Sequence, residues 1–204
     1  MSRFVLIAGF GGAADFDFVA PMLAREHEVS VLEATDPLVT DTDTDTVTDT
    51  DTVLVGYSVG AVVAAAHAAA HPVGLLILLC GWTQPTARLH DWARHAGEEA
   101  FARHTMIGPG SERAPLVRHE LLGLVDTLPV PRLGAIDCPT LVIGARYDVV
   151  ATARQSRLLH GGIADSRYVE LPTGHAALVE RPAEVLSLLK AFAAHPSGAP
   201  AVPR

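Results

Sequence analysis

The chain alternates short apolar runs with polar and glycine-containing segments. Short runs of apolar and β-branched residues that end in glycine or polar residues are typical of buried strands in a parallel sheet. Six runs have this character, at residues 3–8, 27–33, 53–55, 73–80, 140–144 and 166–171. Segments with helical spacing follow four of them, at residues 15–26, 61–70, 152–159 and 183–194. This alternation predicts right-handed βαβ crossovers, and therefore an α/β fold in which a mostly parallel sheet of about six strands carries helices on both faces.

Residues 81–136 interrupt the alternation. They contain two helical patterns, at 90–104 and 115–128, separated by Gly-Pro-Gly and closed by Pro-Val-Pro. An insertion between two strands of a parallel sheet lies near the edge where such sheets bind ligands, so we predict a helical cap. The expected organisation is a single α/β core at 1–80 and 137–195, the cap at 81–136, and a flexible tail at 196–204.

A threonine–aspartate tract, residues 40–52, stands where a crossover helix is expected. Threonine and aspartate are weak helix formers, so we predict a solvated, low-complexity connector. Asp41, Asp43 and Asp45 have the spacing that opens a calcium-binding loop. The glycine and glutamate that such a loop requires are replaced by threonines, which makes cation binding the weaker hypothesis.

Composition narrows the class of protein. The 204 residues fit one domain, and 49% of them are hydrophobic, which is enough for a substantial core. The net charge of −8 argues against nucleic acid or an anionic membrane as a partner. The apolar runs are too short for a transmembrane helix, and the N-terminus lacks a secretory signal, so we expect a cytoplasmic protein. Cys80 and Cys138 lack metal-ligand spacing and are expected to be buried free thiols.

Residues 56–60 read Gly-Tyr-Ser-Val-Gly and join the third predicted strand to an alanine-rich helix. A G-x-S-x-G sequence between a strand and a helix is typical of a nucleophile elbow. The flanking glycines let strand and helix approach each other, while the sharp turn lifts the Ser58 hydroxyl clear of the sheet. The N–H of Val59 then lies at a helix N-terminus, where it can bind a developing oxyanion. On the pentapeptide alone, an incidental serine in a tight turn is the alternative.

Three polar residues, Ser58, Asp148 and His175, directly follow predicted strands. Because the carboxyl ends of parallel strands meet at one edge of the sheet, we expect these side chains to converge. A serine hydroxyl needs a base to act as a nucleophile; His175 can take its proton, and Asp148 can orient the imidazole. Asp126 and Asp137 remain alternatives for the acid if Asp148 lies elsewhere.

The order of four motifs resembles the α/β-hydrolase family, in particular its small serine esterases and cofactor-free perhydrolases. LIAGFGG is similar to the family's strand-HG-x-G segment, GYSVG to the elbow, LVIGARYDVV to the acid turn and LPTGHAALVERP to the histidine loop. The resemblance runs through most of residues 3–192. It implies Ser58 as nucleophile, Asp148 as acid and His175 as base, with an oxyanion hole formed by the backbone N–H groups of Phe10 and Val59. It implies no metal and no organic cofactor.

The chain departs from the family pattern in three places. Ala8 stands where a histidine usually precedes the first glycine, which should alter loop packing more than chemistry. Two N-terminal strands of the family are absent, and the threonine–aspartate tract replaces one crossover helix. The missing helix would expose part of one sheet face or leave it to be covered by a partner chain, which raises a homodimer as a hypothesis.

Other residues are candidates of lower weight. Gly9, Tyr57, Trp82 and Trp92 could line a substrate pocket, although core packing explains Trp82 equally well. His67 and His71 have a zinc-like i,i+4 spacing but lack the glutamate of a metalloprotease, so a structural role is favoured.

The predicted function is hydrolysis of a small carboxylic ester or thioester through an acyl-enzyme. Lactone opening, C–C bond hydrolysis and perhydrolysis use the same three residues and remain alternatives. A hydrolase-like protein that binds a small ligand with little turnover is the alternative from another class.

Overall fold

The computed structural model describes residues 2–36, 48–105, 110–112, 114–128 and 130–197. In these residues, six strands form one sheet in which every neighbouring pair is parallel, in the order β2-β1-β3-β4-β5-β6. The strands are β1 (Arg3–Ile7), β2 (Glu28–Leu32), β3 (Thr52–Tyr57), β4 (Leu75–Leu79), β5 (Thr140–Ala145) and β6 (Ser166–Leu171). The predicted parallel sheet is confirmed.

Helices in the described segments alternate with these strands. They are α1 (Ala20–Leu23), α2 (Val59–Ala68), α3 (Ala87–His95), α4 (Glu98–Thr105), α5 (Ala114–Thr127), α6 (Ala153–Gly162), α7 (Ala177–Glu180) and α8 (Pro182–Ala194). Two 3-10 turns add Gly12–Phe16 and Leu133–Ala135. Within the described residues, no helix is long and apolar enough to cross a membrane.

The sheet has a hydrophobic core on each face, because successive side chains of a strand point to opposite sides. Val5 and Ile7 of β1 join a core with α2, α6 and parts of α3–α5, whereas Phe4 and Leu6 join a core with α1, α7 and α8. Helices therefore cover both faces, as predicted. Cys80 and Cys138 are buried free thiols, also as predicted.

Two predicted helices are wrong in extent. The segment predicted as one helix over 15–26 consists of the 3-10 turn and the single turn α1, with Pro21 near the start of α1. Proline supplies no N–H and so favours a helix start at that point. The predicted helix 90–104 is two helices, because the backbone leaves helical geometry at Ala96, before Gly97. Thr86 caps α3 by accepting the Leu89 N–H at 3.1 Å, so α3 begins earlier than predicted.

The threonine–aspartate tract is described only from Thr48 onward. The Asp41–Asp45 spacing and the predicted loss of a crossover helix lie outside the described residues. In the described end of the tract, residues 49–51 are exposed as the solvated connector predicts, but Thr48 is not. Thr48 is 4% exposed, donates to the Pro72 carbonyl at 2.9 Å and lies 2.9 Å from His67 Nε2. Its hydroxyl is buried because both partners satisfy it.

The cap boundaries and the tail remain predictions. Segment 81–136 contributes Trp82, Leu89, Phe101 and Val125 to the same core as the sheet. Residues 198–204 of the predicted tail lie outside the described residues.

Candidate active site

The turn after β3 holds Ser58 in a strained conformation. Its φ of 56° and ψ of −121° are rare for a residue with a side chain. The flanking glycines are required by close backbone contacts: a Cβ at Gly56 would lie 2.4 Å from the Gly60 carbonyl oxygen, and one at Gly60 would lie 2.2 Å from the Ile7 carbonyl oxygen. The two glycines therefore allow β3 and α2 to approach closely, and Ser58 occupies the sharp turn that joins them.

His175 contacts the two other polar residues singled out by sequence. Its Nε2 lies 2.8 Å from Ser58 Oγ, and its Nδ1 lies 2.7 Å from Asp148 Oδ2. The side chains of His175 and Asp148 are 2% and 0% exposed. An ionised carboxylate only accepts hydrogen bonds, so Nδ1 carries the proton and Nε2 accepts from the serine hydroxyl. This is the arrangement in which histidine can act as a base toward serine.

The Asp148 carboxylate is fixed by its own turn. Its Oδ1 accepts the N–H groups of Val150 and Ala151 at 2.7 and 2.8 Å. These bonds hold the carboxylate in one orientation and leave Oδ2 for His175. The other two aspartates considered lie elsewhere: Asp126 pairs with His90 at 2.7 Å, and Asp137 lines a cavity with Pro139 at the start of β5.

Tyr57, a candidate pocket residue by sequence, is 2% exposed and packs against the histidine loop. Its hydroxyl donates to the His175 carbonyl at 3.0 Å, and the two rings lie 5.5 Å apart between centroids. Burial raises the pKa of this phenol well above 10, which keeps it protonated as a donor. In this position the Tyr57 side chain supports the backbone that carries His175.

The loop after β1 lies directly against the serine. A Cβ at Gly9 would lie 3.0 Å from Ser58 Cβ, so the residue must be small. The Gly9 N–H donates to Asp15 Oδ2 at 2.7 Å. Phe10 follows Gly9, and Val59 begins α2 on the other side of Ser58; their roles as oxyanion donors remain predictions.

Asp15 was not among the residues selected from the sequence. It is 1% exposed, and burial raises its pKa from 3.8 to about 7, although the Gly9 N–H and, when it is protonated, His175 oppose the rise. The sequence contains one indication of its burial: Asp15 lies between Ala13-Ala14 and Phe16, directly after the Gly-Phe-Gly-Gly turn, so its immediate neighbours in the chain are apolar.

Within the described residues, one group has metal-ligand character. The ligand atoms of Cys80, Asp148 and His175 lie within 4.8 Å of one another. Asp148 and His175 are already bonded to each other, and burial raises the pKa of the Cys80 thiol, so the sulfur is a protonated, poor ligand. The donor set fits a hydrogen-bonded pair better than a metal centre. Cys80 itself has a positive φ of 51° at the end of β4.

The remaining candidates, Trp82, Trp92, His67 and His71, are not part of the hydrogen-bonded series of Ser58, His175 and Asp148 in the described residues. Trp82 is 1% exposed in the core, whereas Trp92 stacks on Phe101 at 5.7 Å and lines a cleft of about 610 Å³ that also includes Val149. His67 and His71 stack on each other at 4.5 Å, and His67 Nε2 bonds to Thr48. This is the structural role favoured for the histidine pair.

Sequence comparison gives one short match. No family model matches the chain. A 57-residue segment is 40% identical to pyrrolizixenacetamide deacetylase of Xenorhabdus hominickii, covering 28% of this chain and 21% of that protein. The match therefore spans about a fifth of the relative's length.

Structural comparison covers nearly the whole chain. An N-acyl homoserine lactone degrading enzyme superposes with a TM-score of 0.71 at 20% identity, over 94% of this chain and 93% of that one. A thermophilic esterase from Thermogutta terrifontis superposes with a TM-score of 0.67 at 19% identity, over 97% and 91%. Both are α/β-hydrolase enzymes.

The chain has the α/β-hydrolase fold.

Within the α/β-hydrolase fold, the order of the strands explains the convergence described above. Ser58 follows β3, Asp148 follows β5 and His175 follows β6, and all three strands run parallel in one sheet. Their carboxyl ends therefore share one edge, where ligands bind in sheets of this kind.

Proposed function

We propose that this chain is a serine hydrolase that cleaves a small carboxylic ester or thioester through an acyl-enzyme on Ser58. The observation that carries the proposal is the continuous hydrogen-bonded series from Ser58 Oγ through His175 to Asp148, at 2.8 and 2.7 Å. An α/β-hydrolase fold supports hydrolytic chemistry but leaves the substrate open.

In the acylation step, His175 Nε2 takes the hydroxyl proton while Ser58 Oγ attacks the carbonyl carbon. The resulting imidazolium is stabilised by Asp148, whose charge lies 2.7 Å from Nδ1. The carbonyl oxygen becomes an oxyanion, to which we assign the N–H groups of Phe10 and Val59 as donors. The tetrahedral intermediate collapses when Nε2 returns the proton to the leaving alcohol or thiol, and the acyl group remains on Ser58.

Deacylation repeats the same steps with water. His175 takes a proton from water, the hydroxide attacks the acyl carbon, and Nε2 returns the proton to Ser58 Oγ as the acid leaves. These steps balance with substrate and water alone.

The substrate bond is best defined with a panel of substrates. The panel should include a lactone, because a cyclic ester also forms an acyl-enzyme on Ser58. The structurally similar enzyme degrades N-acyl homoserine lactones, which supports this choice. The short match to a deacetylase adds an acetamide. We expect the activated ester and thioester to react fastest, because their leaving groups need the least protonation.

A stopped-flow experiment with nitrophenyl acetate tests the proposal. We expect a burst of about one equivalent of nitrophenol per protein, followed by slower turnover. Ser58→Ala should abolish both phases without unfolding the protein. Ser187→Ala, an exposed serine on α8, is the matched control and should keep the burst. A folded wild type that binds ester saturably without releasing nitrophenol would contradict the proposal and favour a ligand-binding protein.

A further inference from the structure

Asp15 is a buried carboxylate that the steps above do not use. It lies in the 3-10 turn Gly12–Phe16 and is 1% exposed. Oδ2 accepts the Gly9 N–H at 2.7 Å, whereas Oδ1 is buried without a hydrogen-bond partner of good geometry among the described residues. Burying a carboxylate with so little compensation is costly, so its presence calls for a physical explanation.

Gly9 connects this carboxylate to the nucleophile. A Cβ built on Gly9 would lie 3.0 Å from Asp15 Oδ2 and 3.0 Å from Ser58 Cβ. It would also lie 3.3 Å from Tyr57 Cδ1. Gly9 is therefore held between Asp15, the serine and the tyrosine, and any movement of its amide moves the next residue, Phe10, relative to Ser58.

We propose that Asp15 is a positioning residue for acyl transfer, whose carboxylate fixes the Gly9 amide and so holds the Phe10 N–H in place for the oxyanion. The inference rests on the proposed function, because it assigns a task within that reaction. Asp15 acts through the loop and does not touch the reacting atoms.

The charge of Asp15 matters for this task. The titratable groups that face it are His175, Glu33 and the Tyr57 phenol. Burial raises the pKa of Asp15 to about 7; the Gly9 and Gly11 amides and His175 lower it, and Glu33 raises it further. Above pH 7 the ionised carboxylate makes a charge-assisted bond to the Gly9 N–H, which is stronger than the bond to a neutral carboxyl group. The hold on the loop should therefore weaken as the pH falls through about 7.

The same shift has the opposite effect on stability. A carboxyl group whose folded pKa is raised from 3.8 to about 7 favours the folded state at low pH, and that contribution is lost as the pH rises through about 7. Wild type thus carries an unfavourable buried charge at alkaline pH. Asp15→Asn removes the charge and keeps an acceptor for Gly9, so it should melt no lower than wild type at about pH 8.5.

The test is the second-order rate of inactivation by a fluorophosphonate, measured for wild type, Asp15→Asn and Asp15→Ala from about pH 5.5 to about pH 8.5. Asp15→Ala should react about 10- to 100-fold more slowly at the alkaline end, since a misplaced donor costs rate steeply. Asp15→Asn should match wild type at the acid end and fall about 5- to 10-fold behind it at the alkaline end. Asp165→Asn, an exposed carboxylate beside β6, is the charge control and should match wild type throughout.

The outcomes separate cleanly. A wild type to Asp15→Asn rate ratio that rises with pH through about 7 supports the inference, and the Asn variant carries the test if the Ala variant fails to fold. A ratio that stays constant with pH, or an Asp15→Ala rate equal to wild type, overturns the inference while leaving Ser58 as the nucleophile. A wild type that the fluorophosphonate does not label overturns the proposed function and the inference with it.

Discussion

Replacing Asp148 by asparagine changes one property of the site and preserves its shape. In wild type, Oδ1 accepts the Val150 and Ala151 N–H groups at 2.7 and 2.8 Å, and Oδ2 faces His175 Nδ1 at 2.7 Å. The asparagine carbonyl can keep both backbone bonds, so its NH2 group must face Nδ1. Because NH2 is a donor, the imidazole is driven to the tautomer with its proton on Nε2, and Ser58 Oγ then meets a donor where it needs an acceptor.

The expected loss in kcat is large and the loss in stability is small. Tautomer inversion of this kind lowers kcat about 10⁴-fold in a serine protease, equivalent to about 5 kcal/mol in the activation free energy. Both backbone bonds survive, so the free energy of unfolding should change by about 1 kcal/mol or less. Asp148→Ala should differ, because it leaves two buried N–H groups unsatisfied at about 1–3 kcal/mol each.

The assay is steady-state hydrolysis of nitrophenyl acetate, combined with urea unfolding of both variants. Asp126→Asn is the matched control: this carboxylate also pairs with a histidine, His90, but its side chain is 65% exposed in the predicted cap. We expect it to retain wild-type kcat. An Asp148→Asn variant that keeps kcat within about tenfold of wild type would refute the reasoning, since His175 would then not depend on Asp148 for its tautomer.

Two further substitutions test the supports of the site. Gly60→Ala places a Cβ 2.2 Å from the Ile7 carbonyl oxygen, so it should lower the free energy of unfolding, measured in urea, by about 3 kcal/mol or more. Gly161→Ala is the control, because its Cβ meets nothing within 4 Å. It should leave the free energy of unfolding unchanged or raise it by up to about 1 kcal/mol. Equal effects of the two changes would contradict the close-contact argument. Tyr57→Phe removes the donor to the His175 carbonyl and should cost about 1 kcal/mol of stability, with a several-fold slower burst of nitrophenol; a wild-type melting curve and burst would show that the hydroxyl is dispensable.

The sheet and the convergence of three side chains were predictable because both depend on the apolar pattern of each strand and on the parallel arrangement of the strands. The run Ser166–Leu171 was predicted as a strand with the bounds it has in the structure. Once the strands are taken as parallel, residues that directly follow them must share one edge. Ser58, Asp148 and His175 therefore lie together for a reason that the sequence contains.

What escaped prediction depends on contacts between segments far apart in the chain or on backbone groups. Thr48 is buried because Pro72 and His67 satisfy its hydroxyl, and nothing in a threonine–aspartate repeat specifies those partners. Asp15 accepts a backbone N–H, which every residue but proline supplies, so its environment is set by the fold of the Gly9 loop. The interruption of the 90–104 helix at Gly97 shows that apolar spacing alone does not fix where a helix ends.

The most direct test of the central claim is the intact mass of the protein after incubation with a fluorophosphonate, for wild type and for Ser58→Ala. The account predicts one phosphonyl adduct on wild type, located on Ser58 by peptide mapping, and none on the variant. An adduct on another residue, or no adduct on well-folded wild type, would contradict the claim that His175 activates Ser58 as a nucleophile.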